Sequence, residues 1–193
     1  MSGPSQRRLP LGAVLAGGAA ARLGGAKATA ELAGRPLISY PLEALAQAGI
    51  ASFVVAKADS SLPALEVPIV TEPDEPRHPL AGVVAALAHA GTRGALVLPC
   101  DAPFVSPTLL RVLASAKSTT GVRSGGRIHP LFAFYSYESL EHLESATEAG
   151  DSATDALEDL DPDWIEAIER ETFNVNSLAD LARAEDLLRQ PRS

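Results

Sequence analysis

The chain has 193 residues, of which 46% are hydrophobic and 5% aromatic, and its formal net charge is −8 at pH 7. This length and apolar share suit one compact domain with a core of Ala, Leu and Val. The negative charge argues against non-specific nucleic-acid binding, and no apolar run is long enough to cross a membrane. The single cysteine, Cys100, cannot form an internal disulfide, which fits a cytoplasmic protein that handles small molecules.

Short apolar runs alternate with helix-like segments along the chain. The apolar runs predict strands at 11–16, 51–56, 67–72 and 94–99. Helical spacing and end signals predict helices over 39–49, 79–91 and 106–117, the last with Ser106 as its cap.

The second half of the chain continues the pattern. Two strands are predicted around a Gly-Gly turn within 119–135, followed by helices over 137–150 and 151–160. The segment 163–169 is predicted as an edge strand, and a last helix begins after Ser177. The alternation predicts an α/β fold, a mostly parallel sheet with helices on both faces, in one domain over 1–193 with residues 1–9 as a frayed tail.

The stretch AVLAGGAAARLGGAK, residues 13–27, leads from the first predicted strand into a loop rich in glycine and alanine. Glycines after a buried strand let the backbone approach a phosphate and point N–H groups at it. Arg22 and Lys27 would then neutralise an oligophosphate. The loop is not a P-loop, because Ala26 and Ala28 flank Lys27. Taken alone, it leaves a phosphate cradle and an ordinary flexible turn equally open.

Asp101 follows the predicted strand 94–99 in the stretch VLPCDAPFV. Ligands of open α/β sheets bind at the carboxyl ends of the strands, and a lone carboxylate there suits Mg²⁺ with substrate phosphates. The alternative is a turn cap before Pro103. Cys100 is interpreted as a small packed residue rather than a nucleophile.

Three further stretches carry polar residues or glycine at strand and helix ends. In FNVNSLADL, Asn174 and Asn176 alternate with Val175, so both amides fall on one face of an extended segment. They could meet the metal, the phosphates or a second substrate, or Asn176 could only shape the turn into the last helix. Gly82 at a helix start favours an anion or ribose site. His129, beside Arg127, is interpreted as a hydrogen-bonded structural residue.

Taken in order, these stretches resemble the molybdenum cofactor guanylyltransferases of the nucleotidyltransferase superfamily. The matching motifs are LAGG, RLG and GAK within 15–27, PLAG at 79–82, CDAP at 100–103, HPL at 129–131 and NVNS at 174–177. The resemblance implies a Rossmann-like three-layer sandwich that uses Mg²⁺ and transfers GMP from GTP to molybdopterin, releasing pyrophosphate. GTP and molybdopterin are the expected small-molecule partners, and transient contacts with enzymes of the same pathway are expected.

The resemblance also implies roles for individual residues. Catalytic roles fall to Arg22, Lys27 and Asp101, with Asp101 as the metal ligand. The substrate and metal site is expected to be lined by Leu15, Ala16, Gly17, Gly18, Lys27, Glu72, Gly82, Asp101, Asn174 and Asn176. One departure is Ala26, which stands where the family has an aspartate and so removes a carboxylate near the phosphates.

Other functions stay open on the sequence. The chain could be a cytidylyltransferase of the same pathway or a transferase acting on a sugar or lactyl phosphate, although NVNS favours the guanylyl branch. It could also be a non-catalytic nucleotide-binding relative in which Ala26 weakens catalysis.

Overall fold

A computed structural model of the chain describes residues 8–17, 27–75 and 78–190. The described residues form nine strands: β1 (Leu11–Leu15), β2 (Glu31–Leu32), β3 (Arg35–Pro36), β4 (Ser52–Ala56), β5 (Ile69–Thr71), β6 (Ala95–Pro99), β7 (Thr120–Ser124), β8 (Arg127–Tyr135) and β9 (Asp163–Glu166). They also form six α-helices: α1 (Ser39–Gln47), α2 (Pro79–Ala90), α3 (Pro107–Ala114), α4 (Leu140–Ala149), α5 (Ala153–Glu158) and α6 (Leu178–Arg189). The tail expected over 1–9 lies largely outside these residues.

Seven of the strands form one sheet in the order β5-β4-β1-β6-β8-β7-β9. The first four run parallel, β8 runs antiparallel to β6 and β7, and β9 pairs parallel with β7 at the edge. The predicted mostly parallel sheet is therefore confirmed, and so is the edge strand within 163–169. This topology brings the ends of β1, β4, β5, β6 and β7 and the start of β8 to the same edge of the sheet.

Helices cover both faces of the sheet. Successive residues of a strand point to opposite sides, so each central strand packs against helices on both faces. Val14 of β1 belongs to one buried cluster, together with Leu45 of α1 and Leu110 of α3. Its neighbour Ala13 belongs to a second cluster, with residues of α2, α4 and α5. The result is the three-layer sandwich that the resemblance implied.

Side-chain caps fix the starts of α3 and α6. Ser106 Oγ accepts from Leu109 N at 3.1 Å at the start of α3, and Ser177 Oγ accepts from Asp180 N at 3.2 Å before α6. Both predicted caps are confirmed, although α3 ends at Ala114, three residues before the predicted end. Within the described part of the chain, no helix combines the length and apolar character needed to span a bilayer.

The hairpin of β2 and β3 is a feature that the sequence did not predict. Its turn holds Ala33 and Gly34, both with positive φ, and strands of two residues are too short to show a periodicity. The hairpin packs with α6 in a third buried cluster, which contains Leu32, Leu37, Phe104, Val175 and Ala184. This cluster holds the segment before α6 against the end of β6.

Candidate functional site

The centre of the site is an ion pair at the carboxyl ends of the parallel strands. Lys27, at the start of a short 3₁₀ turn, donates from Nζ to Asp101 Oδ2 at 2.8 Å. The Asp101 side chain is 5% exposed and the Lys27 side chain 22%. A buried carboxylate requires such a partner, because desolvation of an unpaired charge is costly. The two residues that the sequence nominated independently are therefore neighbours.

Asn176 joins this pair from the segment before α6. Lys27 Nζ also donates to Asn176 Oδ1 through a short contact. The intervening residue, Val175, is fully buried, and its backbone N–H donates to the Asp101 carbonyl at 3.0 Å. The extended segment is thus clamped beside Asp101, which places a carboxylate, an ammonium and an amide at one point.

Glu72, one residue after β5, lies against two of the nominated glycines. Its side chain fits only because both lack a Cβ: one built on Gly17 would lie 1.9 Å from Glu72 Oε1, and one on Gly82 would lie 2.7 Å from Oε2. Glu72 is 8% exposed, and burial raises the pKa of its carboxyl, an effect that the nearby Lys57 ammonium opposes. Gly82 is the fourth residue of α2, so the anionic group near this helix start is the chain's own carboxylate.

The other nominated residues of the first loop are only partly described. The backbone groups of Leu15 and Ala16 belong to the sheet: Cys100 N donates to Leu15 O at 3.1 Å, and Ala16 N donates to Val55 O at 2.8 Å. They bring Gly17 to the sheet edge. Gly18, Arg22 and Ala26 lie outside the described residues.

Cys100 packs in the core directly before Asp101. Its burial, together with the Asp101 charge, raises the pKa of the thiol to about 12. The sulfur is therefore protonated at neutral pH and unsuited to nucleophilic attack. The interpretation of Cys100 as a packed residue is confirmed.

A cleft of about 620 Å³ opens beside the two asparagines, within the range of ordinary ligand sites. The β7–β8 hairpin, the segment 169–176 and α6 line it. Asn174 contributes a buried Oδ1 that has no hydrogen-bond partner among the described residues. Three arginines, Arg127, Arg170 and Arg183, also line the cleft and make it suitable for a polar or anionic ligand.

The chain matches the family model described as the MobA-like NTP transferase domain over residues 12–163. It belongs to this family. A molybdenum cofactor guanylyltransferase of Cereibacter sphaeroides is 33% identical over 193 residues, covering 93% of this chain and 97% of that protein. A probable molybdenum cofactor guanylyltransferase of Aquifex aeolicus is 30% identical, covering 88% and 87%.

Comparison of the fold with solved structures finds proteins of the same kind. The crystal structure of the molybdopterin-guanine dinucleotide biosynthesis protein A of Archaeoglobus fulgidus superposes with a TM-score of 0.74 at 24% identity, covering 92% of this chain and 98% of that one. The chain therefore has the α/β architecture of this solved neighbour. The family match and the named relatives make it an enzyme of the nucleotidyltransferase class.

The oxygen atoms at the centre of this MobA-like site fit a hard divalent cation. Asp101 supplies a carboxylate and Asn176 an amide oxygen, and Mg²⁺ binds through one or two carboxylates plus substrate phosphates. Residues 8–17, 27–75 and 78–190 contain no cluster of three or more His, Cys, Asp or Glu residues able to hold a metal alone. The donors therefore suit an ion that arrives with a nucleotide.

Sequence reasoning missed most of the cleft. Arg170 and Arg183 carry no motif; Arg183 belongs to α6 and Arg170 to the loop between β9 and α6. Arg170 Nη2 donates to Leu187 O at 2.8 Å, and Arg183 lies over the Phe173 ring at 5.3 Å. Ser124 and Thr172 gave no signal either, since both are ordinary polar residues at a strand end and in a loop.

Proposed function

We propose that this MobA-like transferase moves GMP from GTP to molybdopterin, giving molybdopterin guanine dinucleotide and pyrophosphate. The observation that carries the proposal is the meeting of Lys27, Asp101 and Asn176 beside a polar cleft. The names of relatives that match over most of the chain support guanylyl as the group and the molybdenum cofactor as the pathway.

The order of the strands supports separate places for the two substrates. Glu72 and Gly17 lie at the β5 and β1 side of Asp101, whereas the cleft lies at the β8 and β7 side. We assign the nucleotide to the first side, with Leu15, Ala16, Gly17, Gly18, Glu72 and Gly82, and the acceptor to the cleft with Asn174. Transfer would then occur between them, at the end of β6.

The reaction requires little covalent chemistry from the protein. A phosphate oxygen of molybdopterin bonds to the α-phosphorus of GTP, the bond to the β-phosphate oxygen breaks, and pyrophosphate leaves with that electron pair. The attacking oxygen is already anionic near neutral pH, so no strong general base is required. Positioning and charge neutralisation dominate such transfers, and we assign them to Arg22, Lys27 and the loop glycines.

Mg²⁺ is the cofactor that we propose for this chemistry. Asp101 would be its protein ligand, and Asn176 would add an amide oxygen or contact the acceptor. When bound, the ion neutralises charge on the phosphates and orients them. The backbone bond from Val175 and the ammonium of Lys27 keep Asp101 fixed after the end of β6. We further propose that the chain works in the cytoplasm as a single transferase domain that passes its product to other enzymes of the pathway.

A nucleotide-by-acceptor screen tests the function. GTP, CTP and ATP are each combined with molybdopterin or a sugar 1-phosphate in Mg²⁺, and pyrophosphate release is measured together with thermal stabilisation by each nucleotide. The proposal requires release with GTP and molybdopterin, and loss of that release in Asp101→Asn. Release with CTP alone would make the chain a cytidylyltransferase, and GTP binding without any release would make it a non-catalytic relative.

A further inference from the structure

A chain of hydrogen bonds runs behind one wall of the cleft. His129 Nε2 lies 2.8 Å from Ser124 Oγ, and Ser124 Oγ lies 2.6 Å from Thr172 Oγ1. Thr172 Oγ1 in turn donates to the Glu169 carbonyl at 3.4 Å. Ser124 is 3% exposed and Thr172 5%, so this relay is shielded from water.

The Glu169 carbonyl at the end of the relay favours one arrangement of its protons. A carbonyl oxygen only accepts, so the Thr172 hydroxyl proton is directed to Glu169 and its oxygen accepts from Ser124. The Ser124 oxygen then accepts the proton carried by His129 Nε2. Imidazole in this tautomer keeps a lone pair on Nδ1.

The surroundings keep this imidazole neutral. Burial lowers the pKa of His129, and the charge of Arg127 lowers it further, although a hydrogen bond with the Ser124 backbone opposes both effects. Besides Arg127 on its own strand, the charged groups around the cleft are Glu169, Arg170 and Arg183. The imidazole and the Phe132 ring pack nearly perpendicular to each other at a centroid distance of 5.9 Å, which restricts the plane of the imidazole.

We propose that His129 is a specificity-determining residue for the second substrate, with its Nδ1 lone pair accepting an N–H or O–H donor in the cleft. The inference rests on the proposed function, because it concerns the acceptor side of the same site. Asn174 Oδ1 is a second acceptor without a partner among the described residues, and Asn174 lines the same cleft. Two acceptors from separate segments match a planar heterocycle that carries amino and amide N–H groups, as the pyrimidinone ring of a pterin does.

Two amide substitutions separate the roles of the ring nitrogens. His129→Gln reaches the Ser124 side but leaves no acceptor at the position of Nδ1, whereas His129→Asn keeps an amide oxygen near that position. We expect His129→Gln to raise the KM for molybdopterin about tenfold, as the loss of a buried hydrogen bond does, with an unchanged Kd for GTP. His129→Asn should stay within about threefold of the original KM. His142→Gln is the matched control, since His142 bonds to the Ala156 carbonyl away from the cleft.

Direct binding provides a readout that does not depend on turnover. In ¹⁵N spectra of histidine-labelled protein, His129 should be the Nε2–H tautomer, and its Nδ1 resonance should shift when 6-hydroxymethylpterin monophosphate is added. Thr172→Val should reduce the population of that tautomer, because Ser124 then loses the acceptor that directs its hydroxyl proton away from His129.

The outcomes distinguish the inference from the function on which it rests. An Nδ1 resonance that stays in place when the pterin probe saturates the protein, or a probe that does not bind, would overturn the inference. So would an unchanged KM in His129→Gln. Absence of pyrophosphate release with every acceptor would instead overturn the proposed function, while a shifted Nδ1 signal would still support the role of His129.

Discussion

The backbone N–H of Val175 donates a hydrogen bond to the carbonyl oxygen of Asp101 at 3.0 Å. This bond joins two motifs that lie far apart in the sequence, because Asp101 follows β6 and Val175 precedes α6. Asn174 and Asn176 flank Val175 in the sequence, so the bond holds this segment beside the Asp101 backbone. The Val175 side chain anchors the bond by its complete burial beneath α6.

Val175→Ala should therefore loosen the site as well as the core. Removing two buried methyl groups costs about 2 kcal/mol of unfolding free energy at roughly 0.8 kcal/mol per group plus a cavity contribution. We expect a lower denaturant midpoint together with a lower kcat, because Asn176 loses its fixed position. Val112→Ala, at a position 47% exposed, is the control and should change neither quantity appreciably. A core defect alone would lower the midpoint and leave kcat unaffected.

Lys27→Met tests the ion pair at the centre of the site. The substitution keeps the length of the side chain but removes its contacts to both Asp101 and Asn176. Loss of one group that neutralises charge in the transition state typically costs about 10²- to 10³-fold in rate, and we expect that loss in pyrophosphate release. The exposed Lys117→Met serves as the control for charge. Activity of Lys27→Met within threefold of the parent would show that Lys27 only pairs with Asp101.

The effect of Gly82→Ala on the free energy of unfolding should depend on which residue stands at position 72, and should change sign when Glu72 is replaced by alanine. A Cβ at position 82 would lie 2.7 Å from Glu72 Oε2, so we expect a destabilisation of roughly 1–3 kcal/mol in the parent chain. In a Glu72→Ala background the obstacle is gone, and alanine is favoured over glycine within a helix by about 1 kcal/mol. Gly82→Ala should then stabilise α2. A double-mutant cycle by urea denaturation measures this coupling, and additive effects would contradict the close contact.

Much of the architecture follows from local signals in the sequence. Apolar runs, helix caps and the Gly-Gly turn predicted every strand of the main sheet and the helices α1 to α6, with errors mainly at the helix ends. The ends of parallel strands share one edge, which is why Asp101 could be nominated for the site. The cleft could not be predicted, because Thr172, Arg183 and Ser124 come together only through the docking of α6 and the strand order.

The contact of Glu72 with Gly17 and Gly82 also could not be predicted from the sequence. The glycines were attributed to phosphate and ribose binding, and Glu72 was nominated by resemblance. That all three are in contact depends on the pairing of β5 beyond β4, which no local pattern specifies. The contact gives each glycine a steric reason in addition to its proposed role.

Cys100 should resist thiol reagents in the folded protein. Burial raises the pKa of its thiol to about 12, and the thiolate is the species that reacts. We expect iodoacetamide at pH 8 to leave the native chain unlabelled and to label it fully in denaturant, as measured by intact mass. Rapid labelling of the native chain would contradict the packing of Cys100 beside Asp101.

Glu72→Gln should alter how stability depends on pH. Burial raises the pKa of Glu72 above its ordinary value of 4.5, so the folded chain binds this proton more tightly than the unfolded chain. The free energy of unfolding contributed by Glu72 therefore falls as pH rises from about 4.5 through the raised pKa. Glutamine does not ionise, so the variant should gain stability relative to the parent across that window and keep a constant advantage above it. Urea denaturation at a series of pH values measures the difference, with the exposed Glu66→Gln as control, and an advantage that is largest at low pH would contradict the buried carboxylate.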